Sequence, residues 1–218
     1  MEKRESDQCG IIDEQAFRLM EKEWELFRRV KNRGGPAGCQ SDWETFAVMR
    51  CSQFMAWPPE LRLSYERDLD AATLAGRNLL AEKYAHMMRY TAPLEYEKLN
   101  GRLPEITAEM EQLIEKIVEI VLRWAVDMKN KYPWLMATSR PIYSAQDWKG
   151  TSIETYTRGE LATYSVETLR QMLAYYTTMC GEGINLYEVT DSITAQLYGY
   201  ESLHQANALI GQRLGRTE

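Results

Sequence analysis

The sequence predicts an all-α fold, a single domain of about seven or eight helices in bundle-like or orthogonal packing. Apolar residues recur at three- and four-residue spacing along most of the chain, which is the period of a helix with one buried face. Capping and breaking residues separate these stretches, and no segment alternates as a β-strand does. We assign residues 1–10 to a flexible N-terminal tail and residues 11–218 to the domain.

The first half of the chain divides into three predicted helices. The first covers about 12–33 and ends at a Gly-Gly-Pro sequence. Ser41 and Glu44 form a capping box that starts the second helix, which ends near residue 57 before two prolines. The third is predicted as one long helix over about 59–90.

The second half begins with the clearest helical period in the chain, over about 107–132, capped by Thr107. Residues 133–150 are predicted to be the longest irregular stretch, an ordered loop of a kind that often carries function. A capping box at 151–154 starts a short helix that ends near residue 159, and Ser165 caps the next one. Two further helices follow, over about 185–198 and 202–214.

Composition excludes several classes of protein. The net charge of -6 argues against a nucleic-acid partner. We expect a cytoplasmic protein with reduced thiols and no membrane partner, because the chain has no apolar run of 18 residues, no signal peptide and no CxxC spacing. Phosphate-loop, dinucleotide-binding, HExxH and GxSxG motifs are also lacking, and we predict no cofactor.

A first candidate site lies on the predicted third helix. Asn78, Glu82 and His86 share one face, since they are spaced four residues apart. One interpretation is an anion or amino-acid site in which Glu82 is the acid or base. The alternative is an ion-pair network that ties helices together, because a buried carboxylate needs a partner. The candidate partners are Arg50, Arg77 and Lys83.

Two other features carry candidate chemistry. Cys39 lies close to a predicted helix N-terminus, where the helix dipole favours a thiolate, so it is a candidate nucleophile. Its alternative role is that of a small residue in a tight loop. The polar stretch from Arg140 to Glu160 offers Arg140 as a bidentate clamp for a carboxylate. Alternatively, these polar groups satisfy the backbone of their own loop.

A metal site is the weakest of the candidates. Glu82 and His86, and likewise Glu201 and His204, share a helical face and are the ligands that an iron oxidase of the dimetal type would use. The ferritin-like pattern needs two Glu-x-x-His pairs and two further glutamates, and only one such spacing is present. We therefore predict no metal site and keep iron as an alternative.

Several motifs resemble a bacterial family catalogued as domain of unknown function 4125. They include Glu23-Trp24-x-x-Phe27, Cys39-Gln40-x-Asp42, Phe46-x-x-x-Arg50, Gly76-Arg77-Asn78-Leu79, Glu82-Lys83-Tyr84-Ala85 and Arg140-Pro141. The resemblance extends from about residue 12 to 205. It implies a bacterial origin and a shared fold, but no activity. It also places most of the candidate residues inside the family pattern, with His86 and His204 outside it.

The leading hypothesis is a metal-independent enzyme or ligand-binding domain for a carboxylate-bearing or amino-acid-like small molecule. Glu82 and Cys39 are the predicted catalytic residues. The predicted substrate-binding residues are Gln40, Asp42, Arg50, Arg77, Asn78, Lys83, Arg140, Asp147 and Tyr156. The alternative is a non-catalytic module that binds a protein partner or forms a homodimer through Trp134, Tyr143 and Trp148.

Overall fold

The computed structural model describes residues 13–31, 35, 37–99 and 101–215. Within these ranges the chain forms eleven α-helices and two 3-10 helices, and it contains no strand. The predicted all-α fold is therefore confirmed. The predicted N-terminal tail and the start of the predicted first helix lie outside the described residues. The first helix ends at Phe27, so its predicted end near residue 33 was wrong. None of the described helices is both long and apolar enough to cross a membrane.

The helices follow one another with short connections. Their bounds are α1 Glu14–Phe27, α2 Trp43–Met55, α3 Pro59–Leu74, α4 Leu79–Thr91, α5 Pro93–Glu97, α6 Ala108–Lys131, α7 Pro133–Ala137, α8 Ile153–Leu161, α9 Val166–Gly181, α10 Leu186–Leu197 and α11 Leu203–Arg213. The 3-10 helices are Gly38–Ser41 and Ser144–Lys149.

The predicted long third helix is two helices, α3 and α4, so that prediction was wrong. Gly76 has a φ of 69°, the left-handed conformation that ends helices and that glycine adopts without strain. The amide of Arg77 then donates to the carbonyl of Ala72 at 2.8 Å, which closes the end of α3. Asn78 starts α4 by accepting from the amide of Ala81 at 3.0 Å.

Residues 133–150 are also more regular than predicted, since they contain α7 and the second 3-10 helix. Asn207 on α11 holds α7 in place, because its side-chain oxygen accepts from the amides of Trp134 and Leu135, each at 3.0 Å. This contact lies more than 70 residues away in the sequence, so local patterns did not reveal it. The stretch is thus a short helical connection anchored on α11.

The predicted caps were right at two of four helices. Thr107 and Ser165 accept from amides three residues on, as predicted. At α2 the cap is Asp42, which accepts from the amide of Thr45 at 3.1 Å, and Ser41 instead donates to a carbonyl of its own turn. At α8 the cap is Ser152, one residue later than the predicted box required.

The 24-residue helix α6 is the centre of the packing, in contact with α7, α8, α9 and α10. Its apolar face joins two buried clusters, one around Ile117 and Val118 and the other around Ala125 and Met128. Helices α1 to α4 cover the first cluster, with α1 packed against the other three. Helices α2 and α10 also touch, and the space enclosed between them and α4, α6 and α8 becomes the cavity described below.

A glycine permits the close approach of α4 and α8. Gly159 is buried inside α8, and a Cβ at this position would lie 2.9 Å from the carbonyl oxygen of Lys83 and closer still to the side chain of Met87. Such a separation is below van der Waals contact. The approach sets Glu160, the next residue on α8, beside Lys83 on α4.

The Gly159→Ala substitution is expected to lower the free energy of unfolding by about 1–3 kcal/mol, because the added methyl group overpacks a close backbone contact. Urea unfolding monitored by circular dichroism measures the change. Gly181→Ala is the matched control: that glycine is also helical, has nothing within 4 Å of the added atom, and should be neutral or slightly stabilised. Equal stability of the two variants would contradict the close-packing explanation.

Candidate functional site

A cavity of about 630 Å³ lies between α2, α4, α6, α8, α9 and α10. Aromatic rings make up much of its wall, and a smaller number of charged side chains face into it. This combination and size are typical of sites for small molecules. The aromatic lining residues are Phe27, Phe46, Trp57, Tyr84, Trp124, Tyr156, Tyr164, Tyr176 and Tyr187.

A network of buried charges runs under one side of the cavity. Arg50 donates to both carboxylate oxygens of Glu23, and its Nη2 also donates to Glu160 at 3.0 Å. Lys83 Nζ donates to the second oxygen of Glu160 at 2.7 Å. All four side chains are buried, so the network places two negative and two positive charges against one another inside the protein. Tyr65 completes it with a hydrogen bond to Glu23.

Glu160 is the central residue of this network. Besides Arg50 and Lys83, the hydroxyl of Tyr164 donates to it at 2.9 Å and the amide of Gln53 at 3.3 Å. Burial by itself would raise the pKa of the Glu160 carboxyl, but the charges of Arg50 and Lys83 outweigh burial and hold that pKa well below its usual range. Glu160 therefore stays ionised and fully hydrogen-bonded, which suits a structural wall of the cavity better than a proton carrier.

Two cations flank the ring of Tyr156 at another part of the wall. Lys83 Nζ lies 3.7 Å from the ring centroid, and the guanidinium carbon of Arg140 lies 4.6 Å from it. Arg140 is exposed, and its Nη1 donates to the carbonyl of Thr151 at 3.2 Å. No carboxylate in the described part of the chain pairs with Arg140, so most of its guanidinium donors are free to bind an anion.

Asp191 is the acidic group of the cavity that has no internal partner. It lines the cavity from α10, and none of the residues in 13–31, 35, 37–99 and 101–215 forms a hydrogen bond or ion pair with its carboxylate. Burial raises the pKa of Asp191 to about 7. A carboxyl group that titrates near neutral pH is suited to accept or donate a proton.

Cys39 and Asp42 line the cavity beside α2. Cys39 is exposed and belongs to the first 3-10 helix, so its thiol is open to solvent. The carboxylate of Asp42 is already engaged as the cap of α2. With Arg50, Lys83, Arg140 and Tyr156, six of the predicted site residues therefore share one cavity, and their functional roles stay predictions.

Glu82 and Arg77 are not among the residues that line this cavity, whereas Cys39 and Arg140 are. Glu82 and Arg77 pair with each other: Arg77 Nε and Nη2 donate to the two oxygens of Glu82 at 2.8 and 2.6 Å. The reason is local, because the turn at Gly76 sets Arg77 just before α4 and Glu82 in its first turn. The pair matches the structural alternative stated above.

Three further predicted binding residues serve the backbone instead. Asn78 caps α4 and donates to the carbonyl of Leu26 at 2.8 Å. Gln40 donates to two carbonyls at the end of α1 and accepts from an amide of its own loop. Asp147 accepts from the amide of Ser152 at 2.7 Å and from the hydroxyl of Thr155. None of these three lines the cavity.

Glu23 and Asp191 are site residues that sequence reasoning missed, and Glu160 was noticed only as one member of a polar stretch. A signal did exist for Glu23, which falls three residues after Met20 and therefore on the apolar face of α1. A charged residue on a buried face needs a partner, and Arg50 is a second such residue on α2. Asp191 gave no comparable signal, because α10 is mostly half-buried.

The residues of the iron alternative are not brought together. Over the described residues, no group of three or more His, Cys, Asp and Glu side chains is placed to hold a metal ion. His86 is buried, with its Nδ1 3.3 Å from the hydroxyl of Tyr96, and burial lowers the pKa of its imidazole. Glu201 and His204 are exposed and lie more than 100 residues further along the chain, at the start of α11.

Fold and site together define an all-α domain with an aromatic, partly charged cavity above a buried ion-pair network. The chain belongs to the family described as Protein of unknown function (DUF4125), whose model matches residues 14–208. The resemblance inferred from the sequence motifs is thus confirmed. No curated protein and no solved structure matches the chain significantly.

Proposed function

We propose that this is a bacterial, cytosolic protein whose cavity binds a carboxylate-bearing, amino-acid-like small molecule and acts on it by metal-independent acid–base or group-transfer chemistry. The observation that carries the proposal is Arg140, a guanidinium with free donors at the wall of a cavity of about 630 Å³ that is otherwise largely aromatic. A planar guanidinium binds a carboxylate through two parallel hydrogen bonds.

Four side chains of the cavity have roles in this proposal. Arg140 holds the carboxylate, with the ring of Tyr156 fixing the guanidinium plane from one side. Lys83 adds positive charge while it remains tied to Glu160. Asp191 takes over the proton transfer that was expected of Glu82, because it lies in the cavity and Glu82 does not. Cys39 is the nucleophile in this proposal, because its exposed thiol lines the cavity on the solvent side.

Arg140→Ala is expected to weaken binding of carboxylate ligands at least about tenfold, since a hydrogen bond to a charged group contributes about 1.5–3 kcal/mol. Isothermal titration with a panel of free amino acids and simple carboxylates measures the affinity, and NMR of the bound compounds detects turnover. Arg123→Ala is the control, because Arg123 is also exposed but does not line the cavity. Unchanged affinity in Arg140→Ala, or no binding of any carboxylate, would overturn the proposal.

The interaction-module alternative keeps one supporting observation. Trp148 is 79% exposed and Tyr143 is 47% exposed, so both are available to a protein partner. Trp134 is not, because it packs against Gly211 and its amide is bound by Asn207. The titration panel separates the two readings, since a module has no reason to bind carboxylates through Arg140.

A further inference from the structure

The proposed function has Asp191 move a proton but does not say which group of the ligand faces its carboxylate, which no group in the described part of the chain pairs with. An ionised carboxylate in an apolar surrounding is costly unless a cation or donor faces it. The two buried carboxylates of the network beside the cavity have such partners: Glu23 is bound by Arg50 and Tyr65, and Glu160 by Arg50, Lys83, Tyr164 and Gln53. Asp191 is half-buried at the cavity wall and has no protein partner among the described residues.

We infer that Asp191 receives the ammonium group of the ligand, so that the cavity recognises a zwitterion, an α-amino acid or close analogue, with its carboxylate on Arg140 and its ammonium on Asp191. The inference rests on the proposed function and deepens it by naming the second charged group of the ligand. A cationic group restores to Asp191 the partner that the protein itself does not supply.

Tyr187 lies close enough to both Asp191 and Arg140 to be affected by the charge of each. It lies one helical turn before Asp191 on α10, and its side chain also lines the cavity. Burial and the charge of Asp191 raise the pKa of the Tyr187 hydroxyl and the charge of Arg140 opposes them, with a net value of about 12. The charges of Asp191 and Arg140 therefore both act on this one side chain, while in the described part of the chain neither group is used up by an ion pair with the other. That arrangement leaves both charges available to one small zwitterion.

The surroundings of α10 indicate an apolar ligand side chain. Leu186 begins α10 and packs in a buried cluster with Ile120 and Trp124 of α6. The rings of Trp124 and Tyr176 lie 5.0 Å apart, and both line the cavity together with Leu186. Aromatic faces also attract an ammonium group, which adds to the pairing with Asp191. We therefore expect amino acids with large apolar or aromatic side chains to bind most tightly.

Three probes with one shared body test the inference: L-phenylalanine, 3-phenylpropionate, which has only the carboxylate, and phenethylamine, which has only the ammonium. A parallel set carries the leucine and tryptophan side chains. Calorimetric titration of the wild type is expected to rank each amino acid above both of its fragments. Asp191→Asn should lose at least about tenfold in affinity for the amino acids and amines and keep its affinity for the carboxylates.

The two proposals fail in different ways. If the carboxylates bind as tightly as the amino acids, or if Asp191→Asn binds the amines like the wild type, Asp191 is not an ammonium receptor, while the carboxylate proposal for Arg140 stands. If only amines bind and Asp191→Asn abolishes this binding, the receptor stands and the carboxylate proposal fails. Absence of binding for all probes overturns both. Glu119→Gln, an exposed acid outside the cavity, controls for net charge.

Discussion

Replacement of Arg50 by methionine is expected to lower the free energy of unfolding by about 3–5 kcal/mol, because it leaves buried charges without a partner. Arg50 is 6% exposed and bridges Glu23 and Glu160. Glu23 would keep only the hydroxyl of Tyr65. Methionine fills a similar volume, so the change measures the loss of charge more than the loss of packing. Urea unfolding at pH 7 provides the measurement.

The control for this variant is Arg18→Met on the protein surface. Arg18 forms an ion pair with Glu66 at 2.9 Å, but its side chain is 48% exposed. Exposed pairs contribute about 0–1 kcal/mol. If Arg18→Met and Arg50→Met destabilise the protein equally, the buried network does not have the energetic importance that its geometry indicates.

The pH dependence of the same network has a defined sign. The pKa of Glu160 is depressed in the folded protein, so its pairing stabilises the fold above its ordinary value of 4.5 and loses that effect as pH falls through the folded value. The difference in stability between the wild type and Arg50→Met should therefore be largest near neutral pH and shrink below about pH 4.5. A difference that persists unchanged into acid would indicate packing as its cause.

The helical fold followed from the sequence because each helix carries its apolar period and most of its caps locally. The break between α3 and α4 was missed because the alanines before Gly76 continue the helical pattern. Only the left-handed conformation of Gly76 ends the helix there. The predicted helix count was too low for a second reason as well: α5 and α7 are only five residues long, which is too short for a helical period to be recognised.

The site was harder to predict because its charges meet across the fold. The sequence analysis named residues close to Glu82 as its candidate partners, and the structure shows that Glu82 pairs with one of them, Arg77, five residues away. The cavity network instead joins Lys83 to Glu160 over 77 residues. Such partners are set by the packing of α4 against α8, which depends on one buried glycine and leaves no trace in helical periodicity.

Asp191→Asn is expected to be more stable than the wild type at pH 8 by about 2–4 kcal/mol, the opposite of what loss of a structural residue does. Burial raises the pKa of Asp191 from 3.8 to about 7, because no protein group compensates the ionised form. An acid whose folded pKa is raised stabilises the fold below its unfolded pKa and loses this contribution as pH rises through the folded value. Asparagine carries no charge, so the variant escapes the loss.

The same sign predicts that the advantage of Asp191→Asn is larger at pH 8 than at pH 5 by about 2–3 kcal/mol, since about two pH units, each worth about 1.4 kcal/mol, separate pH 5 from the folded pKa of Asp191. Urea unfolding at both pH values tests this. Asp147→Asn is a control with the opposite sign: hydrogen bonds from Thr155 and Ser152 outweigh burial and lower the pKa of Asp147, so its loss should destabilise the protein at neutral pH. A stabilising Asp191→Asn that also loses amine binding would mark Asp191 as a residue that costs stability and serves the ligand. A destabilising Asp191→Asn would instead make it part of the structural network.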